Sequence, residues 1–457
     1  MTYFFYDLET SGLSPKTDRI MQFAGIRTDE SFNPIGEPYN LLVKLSKEIL
    51  PSPFAILTTG ITPQATQTDG LTEAELSHLL ADEVFTPDTV AIGYNNIRFD
   101  DEFIRNLFFR NFYDAYTWQW ADNRSRWDLL DVVRMTRALR PDGINWTEKD
   151  GKPSNKLTDL SSANGLLHAK AHDALSDVEA LIAVAKLLKT KQPQIFDYLF
   201  KIRNKSAVEQ LVMNGKPFVY TSGRYHYPLK TTIVFPIAPT QQGTYVYDLQ
   251  VDPAPFIAMS ESELKKHVQI PYDKRPEDYQ PLPVKELRFN RCPAIAPLAV
   301  LQPADQERLQ IDLIKIQQNL AKLQSDPTFA ARVASAKELP PFPHSDDPDC
   351  TLYDGFAPDS DKPKMAAVRS ADAQKLADFD PNFTDERLAK LLPLYKARNF
   401  PKSLTKSDAA IWHAYRTAKL QARLPEFQKE MAAASKDPNN DKFLLEELVL
   451  WLENVVS

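Results

Sequence analysis

Tyr3-Phe4-Phe5-Tyr6-Asp7-Leu8-Glu9-Thr10 opens on four aromatic residues and closes on two carboxylates. The run is short and apolar, so a strand is expected over 3–8, with 20–28 and 39–45 as its sheet partners. On a strand, residues i and i+2 share a face, which sets Asp7 and Glu9 side by side at the strand's end. Adjacent carboxylates repel unless a cation is shared between them, and hard oxygen donors at this spacing suit Mg²⁺ or Mn²⁺. Taken alone, such a pair is more often a solvated turn than a functional site.

Working outward, helical periodicity covers 73–85 after a Thr72 cap, and 89–94 reads as another strand. Helical patterns follow at 101–110, 128–139, 157–163 and 174–189. Strands alternating with helices imply an α/β layer around a mixed central sheet. Lys191-Gln192-Pro193 breaks that block. A helix is expected over 194–213, then short strands at 218–222, 232–237 and 245–249, as in a small barrel or sheet domain. Helical patterns return at 304–323 and 327–338. A proline- and charge-rich stretch from Leu339 to Asp349 reads as a linker, and everything from Ala371 onward is helical in pattern.

Composition narrows the class. The chain has 457 residues, 43% hydrophobic and 25% charged, which excludes disordered, collagen-like and fibrous proteins. Two cysteines, Cys292 and Cys350, support neither a disulfide scaffold nor a cysteine zinc site. No stretch has the length of uninterrupted apolar sequence that a membrane span needs, and the N-terminus lacks a basic region and cleavage site. A cytoplasmic protein without a membrane association is expected. The net charge of −7 gives no global attraction to nucleic acid, yet local basic surface governs phosphate binding. With 13 glycines and no G-x-G-x-x-G or P-loop, a glycine-loop nucleotide enzyme is disfavoured.

Two more acidic sites follow the first. Gly93-Tyr94-Asn95-Asn96-Ile97-Arg98-Phe99-Asp100-Asp101-Glu102 runs from a strand through an Asn-Asn turn into an acidic helix start. Acidic residues there also serve as caps, and spacing does not fix which carboxylate faces a site. His172-Asp173-Ala174-Leu175-Ser176-Asp177 enters a helix, with His172 just before it and Asp177 in its first turns, so both can face one point.

In that order the three sites resemble the DEDDh class of 3′→5′ exonucleases: D-x-E on the first strand (Asp7, Glu9), a second motif ending in Phe99-Asp100, and H-x-x-x-x-D (His172, Asp177). Gly60-Ile61-Thr62-Pro63-Gln64, Gly93-Tyr94-Asn95-Asn96, Arg110-Asn111-Phe112-Tyr113-Asp114, Ser125-Arg126-Trp127-Asp128-Leu129-Leu130-Asp131-Val132, Ala171-His172-Asp173-Ala174 and Tyr395-Lys396-Ala397-Arg398-Asn399-Phe400-Pro401 extend the likeness to the bacterial exonuclease I family over essentially the whole chain. The resemblance implies a ribonuclease H-like exonuclease domain over 1–192, an SH3-like middle domain with flanking helices over 193–340, and a helical C-terminal domain over 341–457. These would close into a C-shaped clamp. It implies processive 3′→5′ degradation of single-stranded DNA to 5′-mononucleotides, in repair and recombination, with two Mg²⁺ ions (Mn²⁺ as a substitute). Asp7 would bridge the ions, Glu9 and Asp177 would hold the one on the attacking-water side, Asp100 the one on the leaving-group side, and His172 would be the general base.

Between Arg105 and Trp127, arginines alternate with aromatic residues, a pattern that can hold single strands, although most such aromatics belong to cores. Arg105 is the leading phosphate-binding candidate, with Trp120 and Lys156 behind it. The resemblance also implies a partner, the acidic C-terminal tail of single-stranded DNA-binding protein, with Arg140, Tyr198 and Arg308 as candidate contacts. A monomer is the simpler expectation. RNA exonucleases of the same class and proofreading subunits are shorter, lacking anything like 194–457. A non-catalytic scaffold would require one of the five active-site positions to be replaced, and none is.

Overall fold

A computed structural model describes residues 1–166, 173–338 and 344–456. The chain forms two compact units, one from 1–126, 168–182 and 343–457, the other from 127–167 and 183–342.

The first unit carries the strands β1 (Thr2–Thr10), β2 (Ile20–Thr28), β3 (Tyr39–Leu42), β4 (Thr89–Gly93) and the start of β5 (Ser125–Asp128). They form one sheet in the order β3-β2-β1-β4-β5. β1 pairs antiparallel with β2 and parallel with β4, so the sheet is mixed and β1 lies at its centre. Central placement explains the aromatic run: Phe4, Phe5 and Tyr6 are fully buried, and Phe4 and Tyr6 join Phe23, Phe85, Phe103 and Trp118 in one apolar cluster. Burying a side chain of this size contributes roughly 1.5–3 kcal/mol. A β-bulge between Glu9 and Thr10 ends the regular pairing beside the second carboxylate.

The helix expected over 73–85 is α-helical only over Glu73–Leu79, behind a Thr72–Glu75 capping box, and widens over Leu80–Val84. Two helices absent from the sequence reading, Pro53–Thr59 and Pro63–Asp69, follow β3. The C-terminal helices belong to this same unit. Lys406–Ala434 and Lys442–Val456 bring Leu420, Phe427, Leu448 and Trp451 onto Met21, Leu45 and Ile56. The helix Glu386–Asn399 packs Leu391 and Tyr395 against Phe109 and Phe112.

A buried ionic cluster joins the two ends of the chain. Asp349 accepts a two-pronged bond from Arg398 (2.7 and 3.0 Å) and another from Arg19 (2.5 Å). Glu48 accepts from Arg398 at 2.9 Å and from Arg19 at 3.3 Å, while Arg110 pairs with Glu73 at 2.6 Å. Burial alone would raise the Asp349 carboxyl, yet Arg398 and Arg19 hold it well below its ordinary value.

The second unit contains an antiparallel sheet in the order Val284–Arg288, Gly243–Asp248, Thr231–Pro239, Phe218–Thr221, Ala294–Pro297. The helix expected over 194–213 is two, Pro193–Lys201 and Lys205–Val212. The one expected over 304–323 also divides, into Pro303–Leu309 and Leu313–Ser325, where Gln310 adopts left-handed backbone at φ 54°. Among the described residues, no helix is long and apolar enough to cross a membrane.

Candidate active site

Three elements of the first unit deliver the acidic residues. β1 presents Asp7 opposite Ala24 and Glu9 opposite Gln22. β4 ends at Gly93, where a Cβ would lie 2.5 Å from the Asn96 side chain, so glycine is what lets the turn fold back tightly. Asn95 takes left-handed backbone at φ 67°, and the chain then enters the helix Asp100–Arg110 with Asp100 as its first residue. Asp177 stands in the first turn of the helix Ala174–Lys191, whose start is fixed by Asp173 accepting from the Ser176 amide at 3.2 Å and hydroxyl at 2.9 Å.

Ligand oxygens of Asp7, Glu9 and Asp177 lie within 4.8 Å of one another. Their electrostatics show the strain of gathering them. Burial, then the charges of Asp100, Glu9 and Asp177, push the Asp7 carboxyl well above its ordinary range. Burial, then Asp177 and Asp173, push Glu9 up to about 8. Asp100 is therefore the carboxylate of the second motif that faces the cluster. Three converging carboxylates, with Asp100 acting on Asp7 and with the Asp7 and Glu9 carboxyls pushed up, fit a hard divalent cation, which neutralises the repulsion and draws off their protons.

Asp101 has a different task. It is fully buried, accepting from the Tyr6 hydroxyl, from Asn96 at 3.2 Å and from the Arg126 guanidinium. The neighbouring Glu102 accepts from Arg105 at 2.6 Å and from the Tyr353 hydroxyl. Its second donor spent on Gln119 at 2.7 Å, Arg105 is buried and held within the protein by side chains that the sequence could not place beside it. Trp120 is 66% exposed. The other aromatics of this stretch mostly enter cores: Phe108, Phe109, Phe112, Trp118 and Trp127 are all buried. His172 lies outside the described residues.

A groove of about 860 Å³ opens beside Glu9. Its walls combine hydroxyls (Thr10, Ser14, Thr17), apolar groups (Leu13, Phe54, Phe99), the cations Lys419 and Arg423, and the carboxylates Asp18, Glu48, Glu426 and Glu430 beside Glu9. Nothing in the local sequence around Lys419 and Arg423 announced them, because they reach the groove from a helix that begins at Lys406. Lys419 pairs with Asp347 at 2.5 Å and Arg423 with Glu430 at 2.6 Å.

In the second unit, Lys156 is exposed at the start of the helix Leu157–Ala163. Arg140 and Arg308 are brought together by Asp305, which accepts from them at 2.8 and 2.9 Å. The Tyr198 hydroxyl finds no hydrogen-bond partner among the described residues, and burial pushes it up to about 12.

Comparison with known proteins agrees with this geometry. Residues 4–185 match the family described as exonuclease, 203–336 the exonuclease I SH3-like domain and 346–455 the exonuclease I C-terminal domain. Exodeoxyribonuclease I of Haemophilus influenzae is 42% identical over 442 residues, covering 94% of this chain and 93% of its own. That of Escherichia coli is 42% identical over 436 residues, covering 93% and 90%. Crystallised E. coli exonuclease I in complex with a dA16 oligonucleotide superposes with a TM-score of 0.94 at 40% identity over 99% of both chains. Exonuclease I from Methylocaldum szegediense gives 0.95 at 39% identity over 100% of both. A zinc-bound form of the E. coli protein with single-stranded DNA has also been solved, at a TM-score of 0.94. The carboxylate cluster on a central strand, the SH3-like and C-terminal regions that follow it in sequence, and similarity along more than nine-tenths of the chain give one conclusion: the chain belongs to the exonuclease I family.

Proposed function

We propose that the protein is a divalent-metal-dependent 3′→5′ exonuclease that degrades single-stranded DNA processively to 5′-mononucleotides, in repair and recombination. The observation that carries this reading is the convergence of Asp7, Glu9 and Asp177 on one point, with the Asp100 charge acting on Asp7, in a chain of this family. Two Mg²⁺ ions, when bound, would supply Lewis-acid stabilisation of the phosphodiester and of the departing oxygen. Asp7, on which the charges of Asp100, Glu9 and Asp177 all act, would be held in common by both ions. Glu9 and Asp177 suit the side of the attacking water, and Asp100 the side of the leaving group.

Hydrolysis forms one water oxygen–phosphorus bond and breaks the phosphorus–O3′ bond. His172, next in sequence to the capping Asp173, would take the proton from the water, and the 3′ oxygen would finish protonated. The terminal nucleotides would lie in the groove beside Glu9, whose hydroxyls and apolar walls suit exposed bases. Trp120 is available for stacking, and Lys156 for a phosphate. Arg105 would act on the strand through Glu102 and Gln119 rather than as a free cation.

The acidic tail of single-stranded DNA-binding protein would dock where Arg140 and Arg308 converge, with Tyr198 contributing its unpartnered hydroxyl. A cytoplasmic monomer divided near 192 and 340 completes the reading, and the three family matches support that division. The test is product analysis on matched single-stranded DNA and RNA with Mg²⁺ and with EDTA. Mg²⁺-dependent mononucleotide release from DNA is expected. Equal or faster attack on RNA would move the function to RNA processing, and binding without cleavage would leave a scaffold.

A further inference from the structure

The residues flanking two of the site carboxylates are bonded to each other. Tyr6 precedes Asp7 on β1, and Asp101 follows Asp100 at the start of its helix. Across 95 positions of sequence, the Tyr6 hydroxyl donates to one Asp101 oxygen. Asn96 donates to the same oxygen at 3.2 Å and to the Tyr6 hydroxyl at 3.3 Å, while Arg126 donates to the other oxygen. Tyr6, Asn96 and Asp101 are fully buried and Arg126 nearly so.

Arg126 already meets the Asp101 charge, and Asn96 occupies a further lone pair. The Tyr6 hydroxyl is therefore not needed to keep that carboxylate in the core. What it adds is a tether: β1 and the helix Asp100–Arg110 are held together one residue away from the groups that repel. Because strand neighbours point to opposite faces, Tyr6 anchors β1 from behind while Asp7 faces the cluster. We propose that Tyr6 is a positioning residue, its bond to Asp101 fixing the gap between Asp7 and Asp100 so that the carboxylates stand ready for a cation instead of spreading apart. The inference rests on the divalent-metal reading of the site.

The test is Mn²⁺ binding to full-length, metal-free protein by calorimetry, without DNA, for the wild type and Tyr6→Phe. The phenylalanine keeps the ring packed on Phe85, 6.3 Å away between centroids, and removes only the hydroxyl. Mn²⁺ affinity is expected to fall about tenfold, the lower end of what losing a hydrogen bond that supports a metal site costs, because Tyr6 bonds the neighbour of a ligand and not the ligand itself. Cleavage rate at saturating Mn²⁺ should return to near that of the wild type, since the ligands themselves are intact. In an Asp101→Leu background no acceptor remains for the hydroxyl, so Tyr6→Phe should cost much less there. Unchanged Mn²⁺ affinity in Tyr6→Phe would overturn the proposal, even if Asp101→Leu failed to fold. An equal loss in both backgrounds would overturn it too. Absence of Mn²⁺ binding by the wild type would instead remove the metal site on which it rests.

Discussion

Replacing Glu9 by Gln should make the metal-free protein more stable at alkaline pH, and the sign follows from the site. Glu9 titrates at about 8 in the fold against an ordinary 4.5. Its folded form therefore holds a proton that the unfolded chain gives up, so the stability it contributes is full below pH 4.5 and is lost as pH rises through 8. Between pH 6 and 8 nearly one proton is released on unfolding, at about 1.4 kcal/mol per pH unit, with the slope flattening near 8. The expected loss is about 2 kcal/mol, or about 4–8 °C in melting temperature for a cooperative unit of 150–250 residues. Asp7 is raised as well and adds in the same direction. Asp349, held low, is lost only at acid pH and does not enter this window. The assay is thermal unfolding in EDTA at pH 6 and pH 8, for the wild type and Glu9→Gln. The melting temperature of the wild type should fall more steeply with pH than that of Glu9→Gln. Identical pH slopes would refute the reasoning, because the crowding of carboxylates would then carry no free energy.

Other expectations follow from the same geometry. Asp7→Ala or Asp177→Ala should abolish cleavage while leaving single-strand affinity, read by fluorescence anisotropy in EDTA, largely intact. His172→Ala should bind Mn²⁺ as the wild type does but turn over about 10²–10⁴-fold more slowly in a gel assay, the usual worth of a general base. Trp120→Ala should weaken single-strand binding by about 1–3 kcal/mol if the exposed indole stacks on a base, measured by the same anisotropy titration. Asp349→Ala leaves the buried Arg19 and Arg398 with Glu48 as their one remaining shared carboxylate and should cost about 3 kcal/mol in denaturant unfolding.

Local patterns were the legible part of this protein. β2 runs over Ile20–Thr28 as expected, because nine residues of apolar-rich sequence need no distant partner to be recognised. The D-x-E pair and the acidic helix start could be read for the same reason: strand alternation and helix capping act over a few residues. Short or partnered features were not. β5 has four residues and leads directly into a helix, so its Ser125-Arg126-Trp127-Asp128 is too short to stand out as a strand. Ala294–Pro297 ends in a proline and follows Cys292 at a positive φ, which masks a strand at the edge of its sheet.

The site divides the same way. Which of Asp100 and Asp101 faces the cluster depends on Tyr6, Asn96 and Arg126, three residues from separate elements that only the fold assembles. Arg105 shows the same limit from the other side. Its charge and helical position were visible, whereas Gln119, which helps hold it inside, lies fourteen residues away and in another element.

The most direct measurement compares one single-stranded DNA oligonucleotide carrying its label at the 3′ end with the same strand labelled at the 5′ end, each with Mg²⁺ and with EDTA. The account predicts immediate release of the 3′ label as a mononucleotide, late release of the 5′ label, and no cleavage in EDTA. Early release of the 5′ label, or cleavage that persists in EDTA, would contradict it.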